Sequence, residues 1–216
     1  MKYISTRGLA PALTFEEAML TGLALDGGLY VPEYIPKVTK NQILSMQGLR
    51  YQEIAFKITK PFMGSAFEDD ELYEIIEKAY ADFNHISCAP LVELEANHFL
   101  LELFHGPTLA FKDFAMQLIG QLFQVALKRR GKRVTIIGAT SGDTGSAAIE
   151  AFKGLDAVDV FILFPDGRVS DVQRRQMTTA KESNVHAIAV DGTCLLYTSD
   201  AADEGLGVDL GGRRII

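Results

Sequence analysis

The stretch Leu100–Phe114, LLELFHGPTLAFKDF, governs how the rest of the chain is interpreted. Its apolar first part predicts a strand, and the run His105-Gly106-Pro107-Thr108 predicts a turn. A helical pattern follows from about Ala110, so Lys112 is expected in or just before the first helical turn. That end of a helix has unpaired N–H groups and a positive dipole, which favour an anion rather than a lysine. Lys112 is therefore the first candidate for a functional residue.

Two interpretations of Lys112 follow. The simpler one is a solvated lysine whose stem lies against Phe111 and Phe114. In the other, the helix end and the apolar neighbours disfavour the ammonium, lower the pKa of the amine and make it a nucleophile. Lowering a lysine pKa from about 10.4 to about 7–8 costs roughly 4 kcal/mol, of which the dipole supplies only about 0.3–1 kcal/mol. Lys112 can therefore carry a carbonyl cofactor only inside a closed pocket.

A second motif, Gly138–Gly145 (GATSGDTG), joins a predicted strand at Arg133–Gly138 to a predicted helix over Ser146–Lys153. Loops of this kind bind anions through exposed N–H groups, and the hydroxyl side chains in the motif add donors. The loop lacks the Gly-Lys-Ser/Thr of a P-loop and the glycine spacing of a dinucleotide fingerprint. The alternative is a strand–helix turn that only needs small residues.

The chain from Cys88 onward alternates strands and helices, which predicts an α/β fold with an open, mostly parallel sheet and flanking helices. The predicted strands are Leu91–Leu94, Phe99–Phe104, Arg133–Gly138, Val158–Phe164 and Val185–Val190, and the predicted helices are Phe111–Arg130, Ser146–Lys153 and Ser170–Glu182. Residues 1–85 are predicted to be mostly helical. Capping boxes are expected at Thr14–Glu17 and Ser65–Glu68, and a helix is expected over Asp70–Phe83. The predicted domains are 1–85 and 86–193, followed by a tail at 194–216.

Composition limits the class of protein. The chain has 216 residues, 48% of them apolar, and a formal net charge of −7. That charge argues against nucleic acid or an anionic membrane as the partner. Two cysteines make no disulfide framework or metal cluster, and no apolar run is long enough for a membrane span. We expect a cytoplasmic protein without a metal.

Both motifs together resemble those of threonine synthases. The run His105–Asp113 is similar to their lysine motif, and Gly138–Gly145 stands where that family has a second match. The opening segments Tyr3–Gly8 (YISTRG) and Gly27–Pro32 (GGLYVP) resemble their N-terminal domain. This is a pyridoxal-phosphate family of fold type II, related to the tryptophan synthase β subunit.

The resemblance implies a substrate, a cofactor and a set of site residues. O-phospho-L-homoserine and water would become L-threonine and phosphate, with Lys112 carrying pyridoxal phosphate and moving protons. The loop residues expected to bind the α-carboxylate of the substrate are Thr140, Ser141, Gly142 and Thr144. Asp143 stands where many relatives have an asparagine near the cofactor's O3′, so it is expected to bind the cofactor.

The resemblance ends at Thr193. The family's second glycine-rich loop, which holds the cofactor phosphate, does not occur before that residue, and 194–216 resemble a translated sequencing-library adapter. We therefore expect a truncated N-terminal portion of a longer enzyme, followed by a non-native tail and without activity of its own. Two alternatives remain: another lyase of fold type II, such as a serine or threonine dehydratase, and a non-enzymatic anion-binding α/β module.

Overall fold

The computed structural model describes residues 1–140 and 142–192. The predictions made for Ser141 and for the tail at 194–216 therefore lie outside the described residues. The chain divides into two compact units. The first consists of Met1–Ala81 and His85–Cys88, and the second of Asp82–Asn84 and the described chain from Ala89 on.

Four helices and a small strand pair make up the first unit. Its elements are β1 (Tyr3–Ser5), α1 (Phe15–Thr21), β2 (Tyr30–Pro32), α2 (Lys40–Ser45), α3 (Tyr51–Met63) and α4 (Asp69–Ala79). Strands β1 and β2 are antiparallel, with Ile4 opposite Val31. Helix α4 turns its apolar face inward, where Leu72 and Ile76 are fully buried, which agrees with the predicted spacing.

The helix starts of the first unit agree only partly with the predictions. The capping box at Thr14 is present, with the Glu17 carboxylate accepting from the Thr14 N–H at 2.8 Å. The box predicted at Ser65–Glu68 is wrong, because α4 begins at Asp69 with Glu68 as its N-cap. The three acidic residues that follow Glu68 occupy the first turn, where the helix dipole favours them.

Helix α4 is also shorter than predicted. It ends at Ala79, whereas the apolar pattern continues to Phe83. Phe83 belongs to the second unit, where its ring lies 4.9 Å from that of Phe114 in an edge-on contact. Periodicity alone could not separate a helical position from one that packs on a different element.

The second unit contains a hairpin and a three-stranded sheet with its helices. Its elements are β3 (Leu91–Glu95), β4 (His98–Leu101), α5 (Asp113–Arg130), β5 (Val134–Ala139), α6 (Asp143–Phe152), β6 (Val158–Pro165), α7 (Asp171–Thr178) and β7 (Val185–Val190). Strands β3 and β4 are antiparallel and, within the described residues, form a separate two-stranded sheet. The order β5-β6-β7 is parallel throughout, which confirms the predicted α/β class.

Strand β6 lies at the centre of the sheet. Its residues Val158, Val160, Ile162 and Phe164 are buried, as expected for a strand with neighbours on both sides. Strands β5 and β6 are parallel, so their carboxyl ends lie at the same edge of the sheet. In open parallel sheets this edge is where ligands bind, and the turn into α6 begins there.

Candidate active site

The turn before α5 is held together by Thr108 and Asp113. The Asp113 carboxylate accepts from the Thr108 backbone N–H at 2.8 Å and from its hydroxyl at 2.6 Å. Asp113 is fully buried. It is the first residue of α5, so these bonds tie the helix start to the turn five residues earlier.

Two backbone features complete this turn. A Cβ added to Gly106 would lie 2.4 Å from Oδ2 of Asp113, so only glycine lets the carboxylate approach this closely. Leu109 has a φ of 63°, in the left-handed region that costs a non-glycine residue about 1–2 kcal/mol. The bonds to Thr108 therefore hold a strained turn in place.

Lys112 is the N-cap residue of α5, which is where its sequence position predicted it. Its side chain is 14% exposed, and its Nζ donates to Oδ1 of Asp143 at 3.2 Å. The amine also lies 5.6 Å from the centre of the Phe111 ring. The Asp143 carboxylate therefore places a negative charge beside the amine.

The glycine-rich loop follows β5 directly. Helix α6 starts at Asp143 with Gly142 as its N-cap, three residues earlier than predicted. Thr140 is buried, and its hydroxyl oxygen accepts from the Gly142 N–H at 3.3 Å. A Cβ on Gly145 would lie 2.4 Å from Cγ2 of Thr140, so the glycine lets α6 start against the strand end.

The structure thus brings together two of the predicted residues, Lys112 and Asp143, which are 31 positions apart in the chain. Thr140 and Gly142 lie in the loop before Asp143, and Thr144 follows Asp143 in the first turn of α6. Binding of a carboxylate by this loop remains a prediction.

Two glutamines on α7 were missed. The Gln176 side chain donates to the Thr108 carbonyl at 3.1 Å. The Nε2 atom of Gln173 lies 2.9 Å from the position that a Cβ on Gly142 would take. Three positions apart on one helix, the two side chains lie on the same face. Nothing in the sequence indicated that this face meets both loops, because the contacts depend on how α7 packs.

Other kinds of site find little support in the described residues. In residues 1–140 and 142–192, no three His, Cys, Asp or Glu side chains group so that they could hold a metal ion. No helix in the same ranges is both long and apolar enough to cross a membrane. The buried Cys88 thiol has a pKa raised by burial to about 11, so it is a poor nucleophile at neutral pH.

Residues 2–80 match a family model described as the threonine synthase N terminus. A threonine synthase of Pseudomonas aeruginosa is 52% identical over 220 residues, covering 100% of this chain and 46% of that protein. Residues 2–80 belong to the threonine synthase N-terminal family. A crystal structure of threonine synthase from Brucella melitensis, with pyridoxal phosphate bound, superimposes with a TM-score of 0.87 at 54% identity.

That superposition covers 90% of this chain and 42% of the Brucella chain. The yeast threonine synthase structure gives a TM-score of 0.84 at 42% identity, covering 89% of this chain and 41% of its own. The chain therefore spans less than half the length of these relatives. The matches confirm the predicted family and fold.

Proposed function

We propose that this chain is the part of a pyridoxal-phosphate-dependent lyase that carries Lys112. The enzyme is a threonine synthase, which converts O-phospho-L-homoserine and water into L-threonine and phosphate. The observation that supports it best is the contact between Lys112 and Asp143, which joins the two motifs at a distance of 3.2 Å. Gly142, where the loop ends and α6 begins, lies beside this pair at the carboxyl edge of the sheet.

The residues present fit the cofactor. Lys112 offers a largely buried primary amine, as a covalently bound carbonyl cofactor requires. Ser146, in the first turns of α6, is 2% exposed, and its hydroxyl has no hydrogen-bond partner within the described residues. Buried polar atoms nearly always have a hydrogen-bond partner, so this hydroxyl is available to an atom of a bound ligand.

Each residue has a distinct role in the proposed reaction. Pyridoxal phosphate, when bound, serves as the electron sink for carbanion chemistry. Lys112 would hold the cofactor, and its amine would move protons between carbon atoms of the substrate. The loop Thr140–Thr144 and the helix end bind the substrate α-carboxylate, and Asp143 orients the cofactor and the amine. Phosphate leaves from Cγ, and water adds at Cβ.

Both alternatives that the sequence analysis left open account for less of the chain. A dehydratase-like lyase gives no account of the first unit, whose residues 2–80 match a threonine synthase domain. A non-enzymatic anion-binding module gives no account of the buried lysine beside a carboxylate.

The decisive experiment is covalent trapping of the cofactor. The 216-residue chain is incubated with pyridoxal phosphate and reduced with borohydride, and the modified lysine is located by peptide mass mapping. We expect modification at Lys112, lost in Lys112→Ala and retained in Lys128→Ala, which removes an exposed lysine at the other end of α5. Equal modification of Lys112 and the exposed lysines would contradict the proposal.

A further inference from the structure

Thr108 is held at all of its polar groups. Asp113 accepts from its N–H and its hydroxyl, and Gln176 donates to its carbonyl. The first two bonds come from the start of α5, and the third comes from a helix 68 residues away in sequence. A turn residue with every polar group bonded to a buried or half-buried partner is fixed much more firmly than an ordinary loop residue.

Fixing Thr108 also fixes Lys112. Asp113 follows Lys112 directly, so anchoring its side chain sets the rotation of the first turn of α5 and with it the direction of the lysine Cα–Cβ bond. The strained φ at Leu109 persists only if the surrounding bonds determine the turn. If those bonds are lost, the turn relaxes and the lysine moves.

Helix α7 contacts both sides of the Lys112–Asp143 pair. Gln176 reaches the lysine side through Thr108, and Gln173 lies against Gly142, the residue before Asp143. The Ser170 hydroxyl donates to Oε1 of Gln173 at 3.0 Å, which orients this second amide. One helix therefore sets the spacing between the two loops.

We propose that Asp113 and Gln176 are positioning residues for Lys112 that act through Thr108. The inference rests on the proposed function in taking Lys112 as the reactive amine. By fixing the turn, these two residues keep the Lys112 amine sequestered beside Asp143.

The test measures how accessible and reactive the amine is, without any cofactor. The 216-residue chain is labelled with trace acetic anhydride over a range of pH, and the rate at Lys112 is divided by the rate at exposed Lys128. In the wild-type chain we expect a low ratio. Gln176→Met, which keeps the side-chain volume but cannot donate, should raise the ratio about 2- to 12-fold, the effect of one lost hydrogen bond.

Matched variants separate positioning from general destabilisation. Thr108→Val removes the hydroxyl and should raise the ratio, whereas Thr108→Ser keeps it and should not. Thr178→Val removes a hydroxyl that donates to the Arg174 carbonyl within α7, so the ratio should stay at the wild-type value. Asp113→Asn should give the largest rise, and the other variants carry the test if it fails to fold.

An unchanged ratio in Gln176→Met and Thr108→Val, measured below the melting temperature, would overturn the inference even if both variants melt earlier. This result is independent of cofactor trapping. If pyridoxal phosphate fails to modify Lys112 but the ratio rises as expected, the proposed function fails and the positioning role stands.

Discussion

A lysine that is paired with a carboxylate is a poor nucleophile until that carboxylate finds another partner. Lys112 is in this condition, with Asp143 at 3.2 Å. Asp143 is 44% exposed, so its carboxylate can turn toward solvent or a ligand at little cost. A bound cofactor that drew Asp143 away would remove this negative charge from beside the Lys112 amine.

The hydroxyl groups of the glycine-rich loop allow a sharper prediction about the substrate. In a full-length threonine synthase carrying this segment, Ser141→Ala or Thr144→Ala should weaken O-phosphohomoserine binding more than cofactor binding. Loss of a hydrogen bond to a charged group costs about 1.5–3 kcal/mol, or about 10- to 150-fold in affinity. Titrations of the substrate and of pyridoxal phosphate provide the measurement. Equal loss of both affinities would assign the loop to the cofactor phosphate.

At the scale of residues, the sequence was informative where the chemistry is local. The helix start at Lys112 and the strand–helix turn before α6 were predicted because both are visible in a short window, whereas what these residues bind remains a prediction. The Asp113 carboxylate accepts from Thr108, five residues earlier in the preceding turn. Gln176 could not be found, because its bond to Thr108 depends on packing across 68 residues.

The contact between α5 and α6 depends on one glycine. A Cβ on Gly120 would lie 2.4 Å from the Ala151 carbonyl oxygen, so the helices touch backbone to backbone there. At an exposed helix position Gly→Ala stabilises by about 1 kcal/mol. At Gly120 the overpacking cost of about 1–3 kcal/mol exceeds that gain. Gly120→Ala should therefore lower the urea midpoint.

The matched control lies on the same helix. Ala115 is exposed, and Ala115→Gly should lower the midpoint through helix propensity alone, by about 1 kcal/mol. Opposite substitutions at the two sites are thus both expected to destabilise the chain. If Gly120→Ala instead raised the midpoint, the close approach of the two helices would be wrong.

At the scale of elements, the positions of the strands were predicted better than their pairing. Strands β3 and β4 were found within a few residues, but alternation does not say which strand pairs with which. They form a separate hairpin rather than part of the parallel sheet. The capping box at Thr39, where the Gln42 side chain accepts from the Thr39 N–H at 2.8 Å, went unnoticed because α2 is only six residues long.

The whole molecule carries apolar surface that a self-contained domain would normally cover. On the hairpin, Leu91, Phe99 and Leu101 are each at least half exposed. Exposed apolar surface and open sheet edges favour association with other chains. The chain also spans only 46% of the Pseudomonas threonine synthase, so these surfaces are candidates for contacts with the remaining part of such an enzyme.

The tail supplies the last prediction. The pattern after Val185–Val190 predicts another helix, but 194–216 lack its apolar spacing, and the loop expected to hold the cofactor phosphate does not occur before Thr193. We therefore expect chains ending at Thr193 and at Ile216 to have the same melting temperature. Neither should release phosphate from O-phosphohomoserine. The alignment with the Pseudomonas protein extends over the whole chain, tail included. Measuring the two chain lengths side by side therefore tests directly whether the tail belongs to the folded protein. Turnover by the longer chain, or a clear drop in melting temperature on trimming, would mean that the tail is an authentic part of the folded protein.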